Sequence, residues 1–436
     1  MTAVPAMVSG AKPVFGHLAE FRRTPEELFH RGYREHGSVF SFSLAGRRAV
    51  VLLGSAHNRF FYAQTDGLLS IRAAYPFFSR MFAPEFYFFA DPEEYQRQRS
   101  IVLPRFQGRQ LEGYVTSMQR ETAALIDELG DSGRFDMAAL LGPLVLRIAA
   151  RCFLGADIAV VLDRDFYTEF RRFAGGMGFF PPPWVPSPRN LRSRAARDRL
   201  RAAFRTLIER RRSHPIDPPD FLQTLAGAHY PDGTPVPDSV RVNLVLMLTW
   251  AGHETTTGHL AWALADLLDH PEDLRRVRAE IPPGPLDLAA VKHLEHLDNC
   301  LLETERLHPV AYVQARRATG DFDLDGHTVP AGTLVFTSPA VSHRLAEEHP
   351  RPDDYWPDRF AMGRDGRLAR QALIGFGGGP HRCTGVHFAY QEMKVVLAML
   401  LSRYEFTLVD GTPRPARGFV TKWPASPCRV DYRRIG

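Results

Sequence analysis

Phe376-Gly377-Gly378-Gly379-Pro380-His381-Arg382-Cys383-Thr384-Gly385 decides the reading of this chain, and an apolar helical run from Phe388 to Leu401 follows it. Glycines, having no Cβ, let the backbone stay close to whatever the sulfur holds. A helix that begins just after Cys383 points its free N–H groups and the positive end of its dipole back toward the thiol, which favours thiolate. A thiolate in a tight, donor-rich loop is what a haem iron needs as a proximal ligand. Phe376 is then placed to shield the sulfur, and His381 to reach a carboxylate of the macrocycle. The bland alternative is a buried or free thiol, the ordinary fate of a lone cysteine in a cytosolic enzyme. A ten-residue frame around one cysteine argues for the ligand.

At these residues the chain resembles the cytochrome P-450 superfamily, the haem-thiolate monooxygenases. Their signature reads Phe-Gly-x-Gly-x-His/Arg-x-Cys-x-Gly, and Phe376, Gly377, Gly379, His381, Cys383 and Gly385 fill every fixed place. The resemblance implies haem b held through Cys383, with dioxygen as co-substrate. It also implies a mainly α fold with small β-sheets, organised as a single large haem-binding domain over residues 1–436. Within it, β-rich portions are expected near 36–55 and 311–340, a helical body over 91–310, and the ligand loop at 376–385.

Length and composition agree with such a unit. The 436 residues are 44% hydrophobic and 24% charged, the balance of a globular chain rather than a disordered one. Length by itself predicts two or three domains, but no Pro/Ser/Gly linker or internal repeat separates self-contained halves. Cys152, Cys300, Cys383 and Cys428 are scattered without paired spacing, so neither a disulfide framework nor a zinc site is expected, and a reducing cytoplasm fits. Residues 1–16 lack a charged stretch followed by an apolar core, and no run of about 20 apolar residues occurs, so no membrane anchor is expected. The net charge is +5, and ten arginines fall between Arg189 and Arg212. They interleave with Leu200, Phe204, Leu207 and Ile208 at helical spacing, which reads as a solvated helix face rather than a nucleic-acid surface.

Along the chain, Thr24 to Glu35 predicts a helix. Ser38 to Leu44 and Arg48 to Leu53, joined by Ala45-Gly46, predict a hairpin. From Asp91 to Leu268 helical periods dominate, interrupted by a stiff aromatic loop from Gly175 to Pro188 whose three successive prolines cannot continue a helix. Strands return at Phe322 to Val329, around an Asp325-Gly326 turn, and at Thr333 to Thr337.

Ala251-Gly252-His253-Glu254-Thr255-Thr256 interrupts a long apolar helix spanning about Asp238 to Leu268. Glycine costs about 1 kcal/mol in mid-helix, and threonine competes for backbone carbonyls. Such a sequence is tolerated where a ligand must approach and the hydrogen-bond ladder must open. The resemblance makes this the distal oxygen-binding segment, with Ala251 against the cofactor, Thr255 donating to dioxygen and Glu254 relaying protons. His253-Glu254 also begins a zinc-protease His-Glu-x-x-His, but Thr257 stands where the second histidine is required.

Glu303 and Arg306 share a helix face, and by themselves would be worth about 0.2–0.5 kcal/mol as a surface pair. In the family this Glu-x-x-Arg pair is buried and joined by an arginine from a later segment, here Arg359 in Pro357-Asp358-Arg359-Phe360, as a fold-supporting triad. Haem propionates need cations, and motif position gives His381, Arg99 and Arg316, with Tyr95 as a hydrogen-bond partner. Tyrosine at position 95 departs from the commoner histidine.

Tyr75 to Phe82 and Phe86 to Phe89 are dense in rings, and Tyr75, Phe77, Phe78 and Phe82 are the candidates for a large apolar substrate pocket. Tyr75-x-x-Phe78 and the Ala-Gly-His before the acid resemble sterol 14α-demethylases, although those enzymes usually carry histidine where Glu254 stands. The expected substrate is therefore another bulky lipophile, a terpenoid, polyketide or steroid-like molecule, with sterol demethylation the second reading. The glycine run lacks the last glycine of a dinucleotide fingerprint, Pro380 standing there. Electrons are expected from a separate ferredoxin and ferredoxin reductase, and the chain is expected to be a cytoplasmic monomer. A haem sensor or carrier would need no proton relay, so Glu254 and Thr255 argue against it. Non-hydroxylating oxidation or coupling stays open.

Overall fold

The computed structural model describes residues 3–76, 78–83, 85–108, 110–155, 166–176, 185–217, 219–416 and 421–435. The chain divides into two compact units. One comprises Met1–Pro76, Leu302–Cys383 and Arg417–Lys422, the other Phe77–Leu301, Thr384–Ala416 and Trp423–Gly436. The aromatic loop expected between Gly175 and Pro188 lies largely outside the described residues, as does Phe77.

The first unit is built on a five-stranded sheet in the order Val39–Leu44, Arg47–Leu52, Leu334–Thr337, Gln314–Ala318, Leu69–Ser70. Its first hairpin forms where the alternation predicts, with Phe42 opposite Ala49. The turn residues Ala45 and Gly46 have φ of 51° and 80°, the sign a two-residue turn needs to match strand twist. Side-chain alternation then sorts two cores. Phe40, Phe42, Ala49 and Val51 pack with Phe21, Phe29 and Phe336, while Val39, Val50, Leu52 and Val335 pack with Phe61, Tyr62 and Leu69. Each such side chain contributes about 1.5–3 kcal/mol on burial. Arg316 stands opposite Val335 in the ladder, so the register carries its side chain onto the second of these faces. A separate hairpin, Phe322–Leu324 with His327–Val329, turns at Asp325-Gly326 as expected.

The second unit is mainly helical. Its longest helix, Asp238–Asp269, follows Pro237 and ends ahead of Pro271, which opens the next helix. It is buried on nearly every side, which is why its sequence shows little amphipathic contrast. Beside it packs Met137–Leu154, the one helix among the described residues long and apolar enough to cross a membrane. That helix is 67% buried, and its Arg147 and Arg151 both pair with Glu121, the marks of a core helix. In the arginine-rich helix Pro188–Ser213, Leu200, Phe204, Leu207 and Ile208 face inward. Several of its arginines are committed within the unit: Arg211 to Asp220 at 2.7 Å, Arg201 to Asn243 at 2.8 Å, and Arg212 to Asp238.

A three-stranded antiparallel sheet, Ser132–Asp136, Arg429–Arg434 and Tyr404–Leu408, completes this unit and was not expected. Ser132–Asp136 offers little apolar alternation to read, and Tyr404–Leu408, although Tyr404 and Phe406 alternate inward with Glu405 and Thr407 outward, is only 5 residues long. What holds them in register is partly cross-strand charge: Arg134 faces Asp431 at 2.6 Å, and Arg433 faces Glu405 at 2.7 Å.

Candidate active site

In the first unit the cysteine loop closes on itself. The Cys383 N–H donates to the Phe376 carbonyl at 3.0 Å, and Arg382 N–H to Gly379 at 3.1 Å across a short 3-10 turn, Gly379–His381. Gly379 has φ of 60°, and a Cβ there would stand 2.4 Å from the Tyr62 carbonyl; at Gly378 it would stand 2.8 Å from the Tyr62 ring. Two of the glycines are thus dictated by the helix Ser55–Ala63 against which the loop lies. The loop's entry is pinned as well, by Gly375 N–H on Glu305 at 3.0 Å and Ile374 N–H on His343 at 2.8 Å. Cys383 is exposed, whereas Cys152, Cys300 and Cys428 are buried.

His381 engages Asp66 through Nε2 at 2.5 Å, so its partner here is a protein carboxylate. Arg316 is 5% exposed. It donates to Thr65 at 3.2 Å and to its own strand's Ala315 carbonyl at 2.8 Å, lies 4.9 Å over the Phe61 ring, and makes no ion pair among the described residues. Burial pulls its pKa down, opposed by Tyr75, Tyr62 and the charge of Asp66.

The triad is assembled in the same unit. Arg306 donates through Nε and Nη2 to the two oxygens of Glu303, both at 2.8 Å, and Arg359 reaches the same carboxylate at 3.0 Å. Glu303 and Arg306 are fully buried.

In the second unit, Thr255 on the helix Asp238–Asp269 is exposed and donates back to the Ala251 carbonyl at 2.7 Å. Glu254 is buried and forms an ion pair with Arg171 at 2.7 Å. Burial raises the Glu254 pKa, and Arg171 opposes that rise. Trp423 donates its indole N–H to the Glu254 carbonyl at 2.9 Å and lies under the Arg171 guanidinium at 4.9 Å. His253 is buried among the rings of Tyr167, Phe170 and Trp423 with its Nδ1 3.7 Å from the Glu254 carboxylate, and burial, reinforced by Arg171, lowers its pKa to about 3. Arg171 and Trp423 lie far from Glu254 in the chain, and no motif marks either.

On the helix Pro92–Val102, Arg99 donates to the Tyr95 hydroxyl at 3.1 Å, and Tyr95 itself is 1% exposed. Phe78 and Phe82 come together with Trp250, at ring-centroid distances of 5.8 and 6.4 Å from the indole. Phe82 also stacks on Phe86 at 4.7 Å and is 3% exposed, so most of its surface serves this ring cluster. Tyr75 belongs to the first unit, where its hydroxyl accepts from the Ala315 N–H at 2.8 Å.

An accessible thiol in a closed glycine loop and a buried guanidinium with no ion pair among the described residues are the donors an iron porphyrin with propionates requires. Cys383 would hold the iron and Arg316, in the same unit, would supply a cation for a propionate, whereas His381 is already engaged by Asp66.

The Cytochrome P450 family profile matches residues 7–422. The chain is 32% identical to the sterol 14alpha-demethylase of Mycolicibacterium vanbaalenii, covering 100% of this chain and 99% of that one. It is 29% identical to the lanosterol 14-alpha demethylase of Homo sapiens, over 93% of this chain and 82% of that one. Among solved structures, the retinoic acid bound cyanobacterial CYP120A1 superposes with a TM-score of 0.89 at 24% identity, covering both chains in full.

Proposed function

Because this chain belongs to the cytochrome P450 family, whose members hold haem b and use dioxygen, we propose that it inserts one oxygen atom into a bulky lipophile. The substrate class is terpenoid, polyketide or steroid-like, and the electrons come from a separate ferredoxin and its reductase. The cell compartment is the cytoplasm and the working form a monomer. The observation that carries the reading is the pairing of Glu254 with Arg171 one residue before an exposed Thr255.

Haem b, when bound, supplies dioxygen binding and activation and takes up the electrons. The protein's share is proton control. Glu254 is buried enough to keep its proton longer than an exposed carboxyl does, yet Arg171 draws it back toward ionisation. The Arg171 side chain is 43% exposed, so the pair links a buried carboxyl to solvent. The exposed Thr255 hydroxyl, which donates to the Ala251 carbonyl at 2.7 Å, would supply a hydrogen-bond donor to dioxygen. Phe78 and Trp250, half-buried and backed by the buried Phe82, contribute apolar surface for a lipophile.

A second reading, sterol 14-alpha-demethylation, is favoured by the names of the relatives at 32% and 29% identity. The two readings part on ligand binding. Titration of the holoenzyme with 14-methyl sterols and with polycyclic terpenoids, read as a Soret blue shift and followed by product analysis, tests them. Conversion of terpenoids but not sterols supports the first. Release of formate from the sterol C14 methyl group supports the second, and no oxygenated product from any lipophile class defeats both.

A further inference from the structure

Asp273, His296 and Cys300 each present one metal-ligating atom, and the three atoms lie within 4.8 Å of one another. All belong to the second unit. His296 and Cys300 stand four residues apart on the helix Glu295–Leu307, which places them on one face, while Asp273 lies in the first turn of the helix Pro271–Glu280. Cys300 is 1% and His296 6% exposed. The His296 Nε2 is 2.9 Å from Asp273 Oδ1. Glu280 fixes the start of the second helix by accepting the N–H groups of His296 at 2.6 Å and Leu297 at 3.2 Å. The nearby opposing charge is Arg276, 3.6 Å from the Asp273 carboxylate.

We propose that Asp273, His296 and Cys300 form a zinc site that clips these two helices together. Imidazole nitrogen, thiolate sulfur and carboxylate oxygen are the donors zinc takes, and the thiolate with the carboxylate balances its two charges. Bonds of about 2.0–2.3 Å in tetrahedral geometry place neighbouring donors roughly 3.3–3.7 Å apart. The present spread, 2.9 to at most 4.8 Å, brackets those separations. Binding releases the Cys300 thiol proton and replaces the His296–Asp273 hydrogen bond by two metal bonds, leaving a fourth position for water. The cluster is invisible to cysteine spacing because two of its members are not cysteines and one comes from an earlier helix.

The test uses the haem-loaded enzyme, in which Cys383 is engaged by iron. It is stripped with a chelator, exposed to zinc chloride, gel-filtered, and its zinc measured against haem iron. One zinc per haem is expected. The zinc X-ray absorption edge should show one sulfur at about 2.3 Å with lighter donors at about 2.0–2.1 Å. Cys300→Ser and His296→Ala should each weaken zinc retention at least about tenfold, consistent with loss of a ligand, while Cys428→Ser leaves it unchanged. No retained zinc, zinc without a sulfur neighbour, or equal retention in Cys300→Ser overturns the proposal. If the variants do not fold, the absorption spectrum of the unaltered enzyme decides alone.

Discussion

Glu303→Ala removes the carboxylate on which a buried part of the first unit converges. Its oxygens accept Nε and Nη2 of Arg306 at 2.8 Å, Nε of Arg359 at 3.1 Å and the Trp356 N–H at 2.8 Å. After the substitution Arg306 keeps the carbonyls of His343, Pro352 and Asp354, and Arg359 keeps those of Pro350 and Arg351. These carbonyls satisfy N–H groups but leave two positive charges unbalanced. Burial already pulls the Arg359 pKa down, and Glu303 is the leading influence holding it up. Breaking a buried pair costs about 3–5 kcal/mol, and the surviving carbonyls place this case near the middle, about 4 kcal/mol. Against a total stability of roughly 5–15 kcal/mol that is a large fraction. With an unfolding entropy of about 2.1 cal/mol/K per residue, the same loss lowers the melting temperature of the whole chain by roughly 4 °C. The assay is thermal unfolding of the haem-loaded protein followed by far-UV circular dichroism and Soret absorbance. Glu303→Gln, which keeps shape and one acceptor but no charge, should fall between wild type and Glu303→Ala. A Glu303→Ala protein that melts within about 1 °C of wild type refutes the reasoning, because the stranded charges would then have found solvent.

Cys383→Ala should abolish the strongly red-shifted Soret band of the ferrous–CO complex, whereas replacing Cys152 or Cys428 should leave it in place; an intact band in Cys383→Ala would remove the ligand assignment. Thr255→Ala should bind haem and substrate but divert electrons to hydrogen peroxide, checked as product formed per electron pair. Glu392, fully buried on the helix Val386–Leu401 with both oxygens lacking a hydrogen-bond partner among the described residues, has its pKa pushed well above the ordinary carboxylate range by burial. An acid whose folded pKa is raised binds more protons folded than unfolded, so its contribution is full below the unfolded pKa and is lost as pH rises toward the folded one. Glu392→Gln should therefore flatten the fall in stability above about pH 4.5, measured as denaturation midpoint against pH; an unchanged slope would mean that Glu392 is not the group responsible.

Much of the fold was legible where local chemistry and tertiary demand agree. Ala45-Gly46 and Asp325-Gly326 turn because both positions of each pair need positive φ, and the alternation from Val39 to Leu52 faces two buried cores. The long apolar helix was legible from about Asp238 to Leu268, and the structure carries it to Asp269. The three-stranded sheet escaped because charge pairs such as Arg134–Asp431 acquire meaning only after the strands meet. The candidate site divides the same way. Its motif residues were readable, since the loop and the distal segment are contiguous in sequence. Arg171 was not, because its bond to Glu254 joins positions 83 residues apart and an arginine on an amphipathic helix looks like any other surface charge. The bond from the Ala315 N–H to the Tyr75 hydroxyl was equally hidden, because it joins positions 240 residues apart.

The contact between Tyr62 and the cysteine loop sets a rule for how this sequence can drift. Position 378 is a free place in the family signature, yet here it holds glycine because a Cβ would meet the Tyr62 ring at 2.8 Å. That glycine answers to its neighbour rather than to the cofactor. Variation at 378 should therefore be tied to variation at 62. A lineage that acquires a side chain in the loop must first, or together with it, trade the tyrosine for something smaller, and a lineage that keeps the ring keeps the glycine. Gly379 has no such escape, since what it meets is the Tyr62 backbone carbonyl, which no substitution at position 62 removes.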